Sequence, residues 1–214
     1  MAKVAVCVPY HDRVHAQFAA SLAGVMQRDP GASLIMVRSS IVTRVRNACI
    51  EAVEQKADID LIFFADTDMT FPADTIARLT AHDRDIVGAS YMNKSPPHRL
   101  MAKTIDGGPI TAASGLFEVA ALPLGCILLR RSIFSRMKRP YFRLLDDETT
   151  GETHGEDYVF CRTVRDLGYR MFVDMGLTKQ VGHIGEQIFR PSSTAQSAMV
   201  TPPAASARMP QTRP

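Results

Sequence analysis

Apolar and polar positions follow two rhythms along this chain. Val4-Ala-Val-Cys-Val8, residues 33–37, Leu61-Ile-Phe-Phe-Ala65, residues 85–90 and Gly125-Cys-Ile-Leu-Leu129 are short apolar runs bounded by turn residues, the pattern of strands buried in a parallel sheet. Between them apolar residues recur at helical spacing. Phe18, Leu22 and Val25 mark a helix over 14–26, and Val42, Val45, Cys49, Ala52 and Val53 mark one over about 41–56. Further helices are expected over 72–82, over 131–138, and from Glu156 onward with Phe160, Val164 and Leu167 inward and Gly168 as the stop. A last strand is expected at 170–173.

Strand and helix alternating through the first half imply βαβ units and a mostly parallel central sheet flanked by helices, an α/β fold. From Tyr91 to Pro123 the rhythm breaks. Lys94-Ser-Pro-Pro-His98 and Asp106-Gly-Gly-Pro109 punctuate short strands such as 115–120, so this half is expected to be irregular and to face an acceptor. Beyond Arg190 the chain is Pro, Ser, Thr, Ala and Gln without apolar periodicity. Residues 1–190 therefore read as a single domain and 191–214 as a disordered tail.

Composition narrows the classes. Hydrophobic residues make up 46% and charged ones 22%, ordinary for a globular protein. A net charge of +3 is too small to argue for nucleic acid or a membrane surface, although it suits a phosphate-bearing substrate. Cys7, Cys49, Cys126 and Cys161 each lie in an apolar pattern, without a Cys-x-x-Cys, as reduced core thiols do. With no apolar run of membrane-span length and no signal-peptide pattern at Met1-Ala-Lys3, the expected location is cytoplasmic.

The chemistry concentrates where the third strand ends, at Asp66-Thr67-Asp68. Ligands of open α/β sheets bind at the carboxyl ends of strands. In extended backbone residues i and i+2 point the same way, so Asp66 and Asp68 are expected to face one site. A divalent cation with hard oxygen ligands, Mg²⁺ or Mn²⁺, would remove their repulsion. The alternative is a plain strand-to-helix turn, in which Pro72 opens the next helix and the acids lie near its positive end. A second acidic site, Glu156-Asp157, opens a later helix after His154-Gly155. Its carboxylate is either a helix cap or a proton acceptor for an incoming hydroxyl. His183 stands between Gly182 and Ile184-Gly185 in an expected loop. Arg46 falls at the margin of an apolar helix stripe, where its charge needs an anion or its stem must snorkel to solvent.

Taken in order, the apolar strand with Asp-Thr-Asp and Phe-Pro, then Leu-Gly-Cys-Ile-Leu-Leu-Arg-Arg, then Gly-Glu-Asp-Tyr-x-Phe-Cys with Gly-Tyr-Arg, and finally Val-Gly-His-Ile-Gly resemble GT-A-fold glycosyltransferases of the family-2-like kind. The likeness covers roughly Val4 to Gly185. It implies a GT-A-like single domain and a metal-dependent transfer of sugar from a nucleotide-diphosphate donor to an acceptor hydroxyl. By resemblance Asp68 and His183 are ligands of Mn²⁺ (or Mg²⁺), with Asp66 in the metal shell or on the donor ribose. Glu156 binds the acceptor, and Asp157 is the base if the enzyme inverts. Arg46 and Asn47 match an Arg-Asn pair near donor phosphate, and Pro9 and Tyr10 a nucleotide-binding edge.

One departure stands out. Arg38-Ser39-Ser40 replaces the Asp-Asp-Gly-Ser type loop of many relatives, which leaves nucleobase and sugar open. The acceptor is open too, among saccharide, lipid-linked, protein and modified nucleic-acid hydroxyls. Asp66-Thr-Asp68-Met-Thr70 also fits a haloacid-dehalogenase-like phosphatase with Asp66 as nucleophile. A sugar nucleotidyltransferase lacks its Gly-rich loop here, and a catalytically inactive nucleotide-sugar-binding module is the non-enzyme alternative.

Overall fold

The computed structural model of the chain describes residues 2–110 and 114–185; the tail expected to be disordered, 191–214, lies outside the described residues. The elements follow the rhythms of the sequence closely. Strand β1 (Val4–Tyr10), helix α1 (Ala16–Arg28), β2 (Ser33–Arg38), α2 (Val42–Glu54) and β3 (Leu61–Ala65) come first. A two-residue strand β4 (Met69–Thr70), helix α3 (Thr75–Ala81), β5 (Ile86–Gly88), β6 (Leu116–Val119) and β7 (Cys126–Arg130) follow. Residues Arg131–Arg136 form a 3₁₀ turn rather than an α-helix. Strands β8 (Leu145–Asp146) and β9 (Thr153–His154), helix α4 (Glu156–Asp166), β10 (Met171–Asp174), the single turn α5 (Met175–Thr178) and β11 (Gly182–His183) complete the chain.

Seven strands make the central sheet, in the order β2-β1-β3-β7-β5-β10-β6. Strands β2, β1, β3, β5 and β10 run one way, and β7 and β6 run against them. The sheet is thus mostly parallel, with β7 inserted antiparallel at its centre. Successive side chains of a strand face opposite sides, and β1 divides its apolar residues accordingly. Val4, Val6 and Val8 join a cluster with Phe18 and Val25 of α1 and Ile76 and Leu79 of α3. Ala5 and Cys7 join the other, with Val45, Cys49 and Val53 of α2 and Phe160 and Val164 of α4. Apolar burial on both faces is the main stabilising term. On the α2–α4 side Phe142 stacks on Phe160 at 5.1 Å between ring centroids and meets Phe64 edge-on at 5.6 Å.

Two sequence expectations are corrected at the level of elements. His183 is not in a free loop. It lies in β11, which pairs antiparallel with β4 and sets His183 opposite Met69 and Gly182 opposite Thr70. Asn47 also has a different task. Its amide nitrogen donates to the carbonyls of Phe142 (2.7 Å) and Thr43 (2.8 Å), and its oxygen accepts from the N–H groups of Tyr141 and Phe142. That amide closes a loop against α2 in place of contacting a donor. Among the described residues no helix is long and apolar enough to cross a membrane.

Away from the acidic strand end, Asp174 ties three elements together. Its Oδ1 accepts from the Leu177 N–H at 2.8 Å as the cap of α5, and its Oδ2 lies 3.0 Å from Nε2 of His82. Burial by itself would raise this carboxyl, but the bonds from His82 and the Leu177 N–H, with the Arg78 charge, outweigh it and hold it below its ordinary value. A depressed folded value stabilises the fold above the unfolded carboxyl range, and that stabilisation is lost as the pH falls through the folded value. Asp174→Ala should cost about 2 kcal/mol at neutral pH, through the lost cap and the stranded partners. Urea unfolding at pH 7 and near pH 3 checks this: the gap between wild type and variant should narrow toward acid.

Candidate active site at the carboxyl end of the central strands

Strand β3 ends at Ala65, and the chain turns at once: the Asp66 N–H donates to the Gly125 carbonyl, and the Met69 N–H closes the turn on the Asp66 carbonyl, each at 3.1 Å. Asp66 and Asp68 are therefore not on one extended segment, although both line the same cleft. Their carboxylates have different partners.

Asp66 faces inward. Both its oxygens lie 2.9 Å from Nη2 of Arg46. Nε of the same guanidinium lies 3.4 Å from Oε1 of Glu156, and its carbon sits 5.3 Å from the centroid of the Phe64 ring. Arg46 is 3% exposed, so its stem does not snorkel; the anion it needs is supplied by two carboxylates. Burial works against the guanidinium charge, but Asp66 first and Glu156 next outweigh it and raise its pKa. The remaining nitrogen, Nη1, is buried with no hydrogen-bond partner among the described residues. Glu156, expected to bind acceptor, has its carboxylate turned to this pair with a side chain only 15% exposed. Here the first and second acidic sites of the sequence become one.

Tyr91 completes the wall. Its hydroxyl accepts from the Gly125 N–H at 3.1 Å, and burial, followed by the charge of Asp66, pushes its pKa well above that of an ordinary phenol. The fit is tight enough that a Cβ on Gly125 would stand 2.6 Å from the Tyr91 oxygen and 2.9 Å from Oδ2 of Asp66. Glycine is required there for space.

Asp68 faces His183. The main chain sets this pair: β4 and β11 hold His183 across from Met69, and the Ile184 N–H donates to the Asp68 carbonyl at 2.7 Å. Oδ2 of Asp68 and Nε2 of His183 come within 3.4 Å. Nδ1 of His183 is 2.8 Å from the Met92 carbonyl, which can only accept, so Nδ1 donates there and Nε2 is the nitrogen that faces Asp68. The Tyr91 ring, 4.8 Å away edge-on, fixes the imidazole from the side. Lys94 also enters, with Nζ 2.5 Å from Oδ2 of Asp68. Burial would raise the Asp68 carboxyl, and the Lys94 ammonium reverses the sign and lowers it.

Two ligands at about 2.1 Å on adjacent octahedral corners lie about 3 Å apart. The Asp68–His183 spacing fits that arrangement, and an imidazole held by a carbonyl behind it is the usual second shell of a metal-binding histidine. Among the described residues no group of three or more His, Cys, Asp or Glu converges, because Asp66 is committed to Arg46. The protein itself offers two ligands, which leaves further positions for phosphate oxygens and water.

Beside Asp66 and Asp68 opens a cleft of about 230 Å³, lined by Pro9, Tyr10 and His11 from the end of β1, Ser39 and Ser40 after β2, Val42 and Val45 of α2, and Thr67. The expected nucleotide edge, Pro9 and Tyr10, thus adjoins both aspartates. Asp157 lies in the first turn of α4, partly exposed, with its Oδ1 accepting from the Tyr158 N–H at 2.7 Å. Lys94 and Tyr91 were not singled out in the sequence. The signal available for them was position: they follow β5, on the same side of the sheet where β1 and β3 end.

No family model and no curated protein matches this sequence. Solved structures do resemble it. A197 from STIV superposes with a TM-score of 0.61 at 15% identity, covering 90% of this chain and 98% of that one. GalNAc-T7, solved with UDP, GalNAc and Mn²⁺, superposes with a TM-score of 0.57 at 12% identity. That match covers 87% of this chain and 43% of GalNAc-T7, so the chain spans less than half of that protein's length. At these identities the likeness shows the fold, which is GT-A-like.

Removing Arg46 should expose how the two acids depend on it. Arg46→Met leaves Asp66 and Glu156 without their counter-charge and should lower stability by about 3–5 kcal/mol. Adding Asp66→Asn and Glu156→Gln to Arg46→Met should recover part of that loss in urea unfolding; a triple variant as unstable as the single one would refute the charge-burial account.

Proposed function

We propose that this chain transfers a glycosyl group from a nucleotide-diphosphate sugar to an acceptor hydroxyl. The observation that carries the reading is the convergence of Asp68 and His183 to 3.4 Å, at the carboxyl end of the sheet and beside a cleft floored by Pro9 and Tyr10. The fold resembles that of GalNAc-T7, whose structure holds UDP, GalNAc and Mn²⁺, and the donor and cation proposed here are of the same chemical kind.

In this reading the nucleoside lies in the cleft between Pro9-Tyr10 and Ser39-Ser40, and its diphosphate reaches toward Asp68. Mn²⁺ or Mg²⁺ held by Asp68 and His183 would supply Lewis-acid stabilisation of the departing diphosphate. The chain's own residues do the rest. Asp157 accepts the proton of the acceptor hydroxyl as its oxygen bonds to the anomeric carbon and the bond from that carbon to phosphate breaks. The reaction inverts the anomeric centre. Arg46 holds Asp66 and Glu156 in fixed places under the site. The role given to Glu156 therefore shifts from touching the acceptor to orienting the first turn of α4, on which Asp157 sits. A preorganised wall of this kind needs no rearrangement as charge develops.

Thermal-shift screening of UDP, GDP, ADP and their sugar conjugates, each with and without Mn²⁺, tests the donor class; a metal-dependent shift is expected with at least one. Asp68→Ala or His183→Ala should abolish that metal-dependent shift, and unchanged Mn²⁺-dependent calorimetric binding would refute the ligand assignment. With a transfer assay in hand, Asp157→Asn should lower turnover by about 10²–10⁴ while donor binding survives. Near-normal turnover in that variant would remove Asp157 from the role of base.

A further inference from the structure

The Asp68 carboxylate faces Nε2 of His183 at 3.4 Å with a side chain only 30% exposed, and a carboxylate so enclosed is stabilised by a positive charge nearby. The protein already contains one. The Lys94 ammonium lies 2.5 Å from the same Oδ2 that faces His183, and Lys94 stands only two residues beyond Met92, whose carbonyl accepts from Nδ1 of His183. One short segment after β5 thus both orients the imidazole and supplies the cation. Oδ2 cannot hold an ammonium at 2.5 Å and a divalent ion at about 2.1 Å in the same place.

We propose that Lys94 is the resident counter-cation of the Asp68–His183 pair. It occupies the divalent cation's position in the free protein, is displaced from Asp68 when that cation binds, and then serves as a counter-charge for the donor diphosphate. This inference rests on the cation site of the proposed function and adds to it a residue that makes cation and diphosphate binding interdependent. The physical reason is charge. In the free protein Lys94 neutralises Asp68, so a divalent ion must break a charge-assisted hydrogen bond to enter. Once Asp68 is taken by the ion, the ammonium is left beside a site of excess positive charge. A diphosphate relieves that excess, which makes the two ligands favour each other, and by linkage the coupling is equal in both directions. Lys94 is suited to the exchange because its side chain is 42% exposed and sits in a loop. Released from Asp68, it can stay solvated.

The test uses the full chain and two simple probes, Mn²⁺ and inorganic pyrophosphate. Titration calorimetry, with electron paramagnetic resonance counting free Mn²⁺, gives the metal affinity of wild type, Lys94→Met and Lys94→Arg. Lys94→Met should bind Mn²⁺ alone at least about tenfold more tightly than wild type, a factor equivalent to 1.4 kcal/mol. Lys94→Arg, which keeps the charge, should stay within about threefold of wild type. Saturating pyrophosphate should tighten Mn²⁺ binding in wild type, and by a several-fold smaller factor in Lys94→Met. Equal Mn²⁺ affinity in wild type and Lys94→Met, including no binding to either, overturns the proposal, and so does coupling to pyrophosphate of the same size in both. The outcomes separate from those of the donor reading. If no nucleotide or nucleotide sugar binds any form while Lys94→Met still gains Mn²⁺ affinity, the donor assignment fails and the counter-cation role of Lys94 stands.

Discussion

A buried guanidinium is the constraint from which this site follows. Arg46 is almost fully enclosed between α2 and the sheet, where an isolated charge would cost many kcal/mol. The chain meets that cost with two carboxylates from distant segments: Asp66 at the end of β3 and Glu156 at the start of α4. Because the ion pairs are made inside the protein, the positions of the strand end and the helix start are tied to each other. The Phe64 ring lies against the guanidinium and meets Phe142, which stacks on Phe160, so movement of the charges also disturbs the apolar core. This is a costly way to add stability, since apolar residues of similar volume would serve as well. Its value is positional.

With Asp66 committed to Arg46, Asp68 is left for other partners, and the division of labour between the two depends on the turn that separates them. A turn at 66–69 rather than a continued strand sends the second carboxylate toward β11. The short β4–β11 ladder then brings a histidine from the far end of the described chain into range. Gly182 permits this approach: a Cβ there would lie 2.5 Å from the Thr70 hydroxyl. The imidazole is oriented by the Met92 carbonyl, the carboxylate is neutralised by Lys94, and the Tyr91 ring braces the histidine. One irregular segment, the stretch after β5, therefore controls Asp68 and His183 as Arg46 controls Asp66 and Glu156.

The cleft along Pro9, Tyr10, Ser39 and Ser40 adjoins both aspartates. It lies where β1 and β3, neighbours in the sheet, release their chains in the same direction, and such crevices are where open α/β sheets bind their ligands. The Arg38-Ser39-Ser40 loop gives it few charges of its own. Arg38 turns aside to donate to the His11 carbonyl at 2.9 Å, so the loop after β2 presents the Ser39 and Ser40 hydroxyls to the cleft.

Strand and helix order, the two-sided core and the location of the chemistry at the end of β3 could all be read from the chain, because they rest on local periodicity: apolar runs bury, and turn residues end them. Asp68, His183, Asp157, Arg46 and Asp66 were named as candidates from residue type and order, and their functional roles stay proposals. What residue order left open was which of them meet. How Asp66 and Asp68 are presented depends on the backbone turn between them, and that turn is closed by hydrogen bonds to Gly125, just before β7, and to its own start. The bonding of Arg46 to both acids, the structural role of Asn47 and the presence of Lys94 at Asp68 are contacts between segments far apart in sequence. Such contacts are set by how the layers pack, where the energy of burying a charge or leaving an amide unpaired selects one partner among many, and no local pattern carries that information.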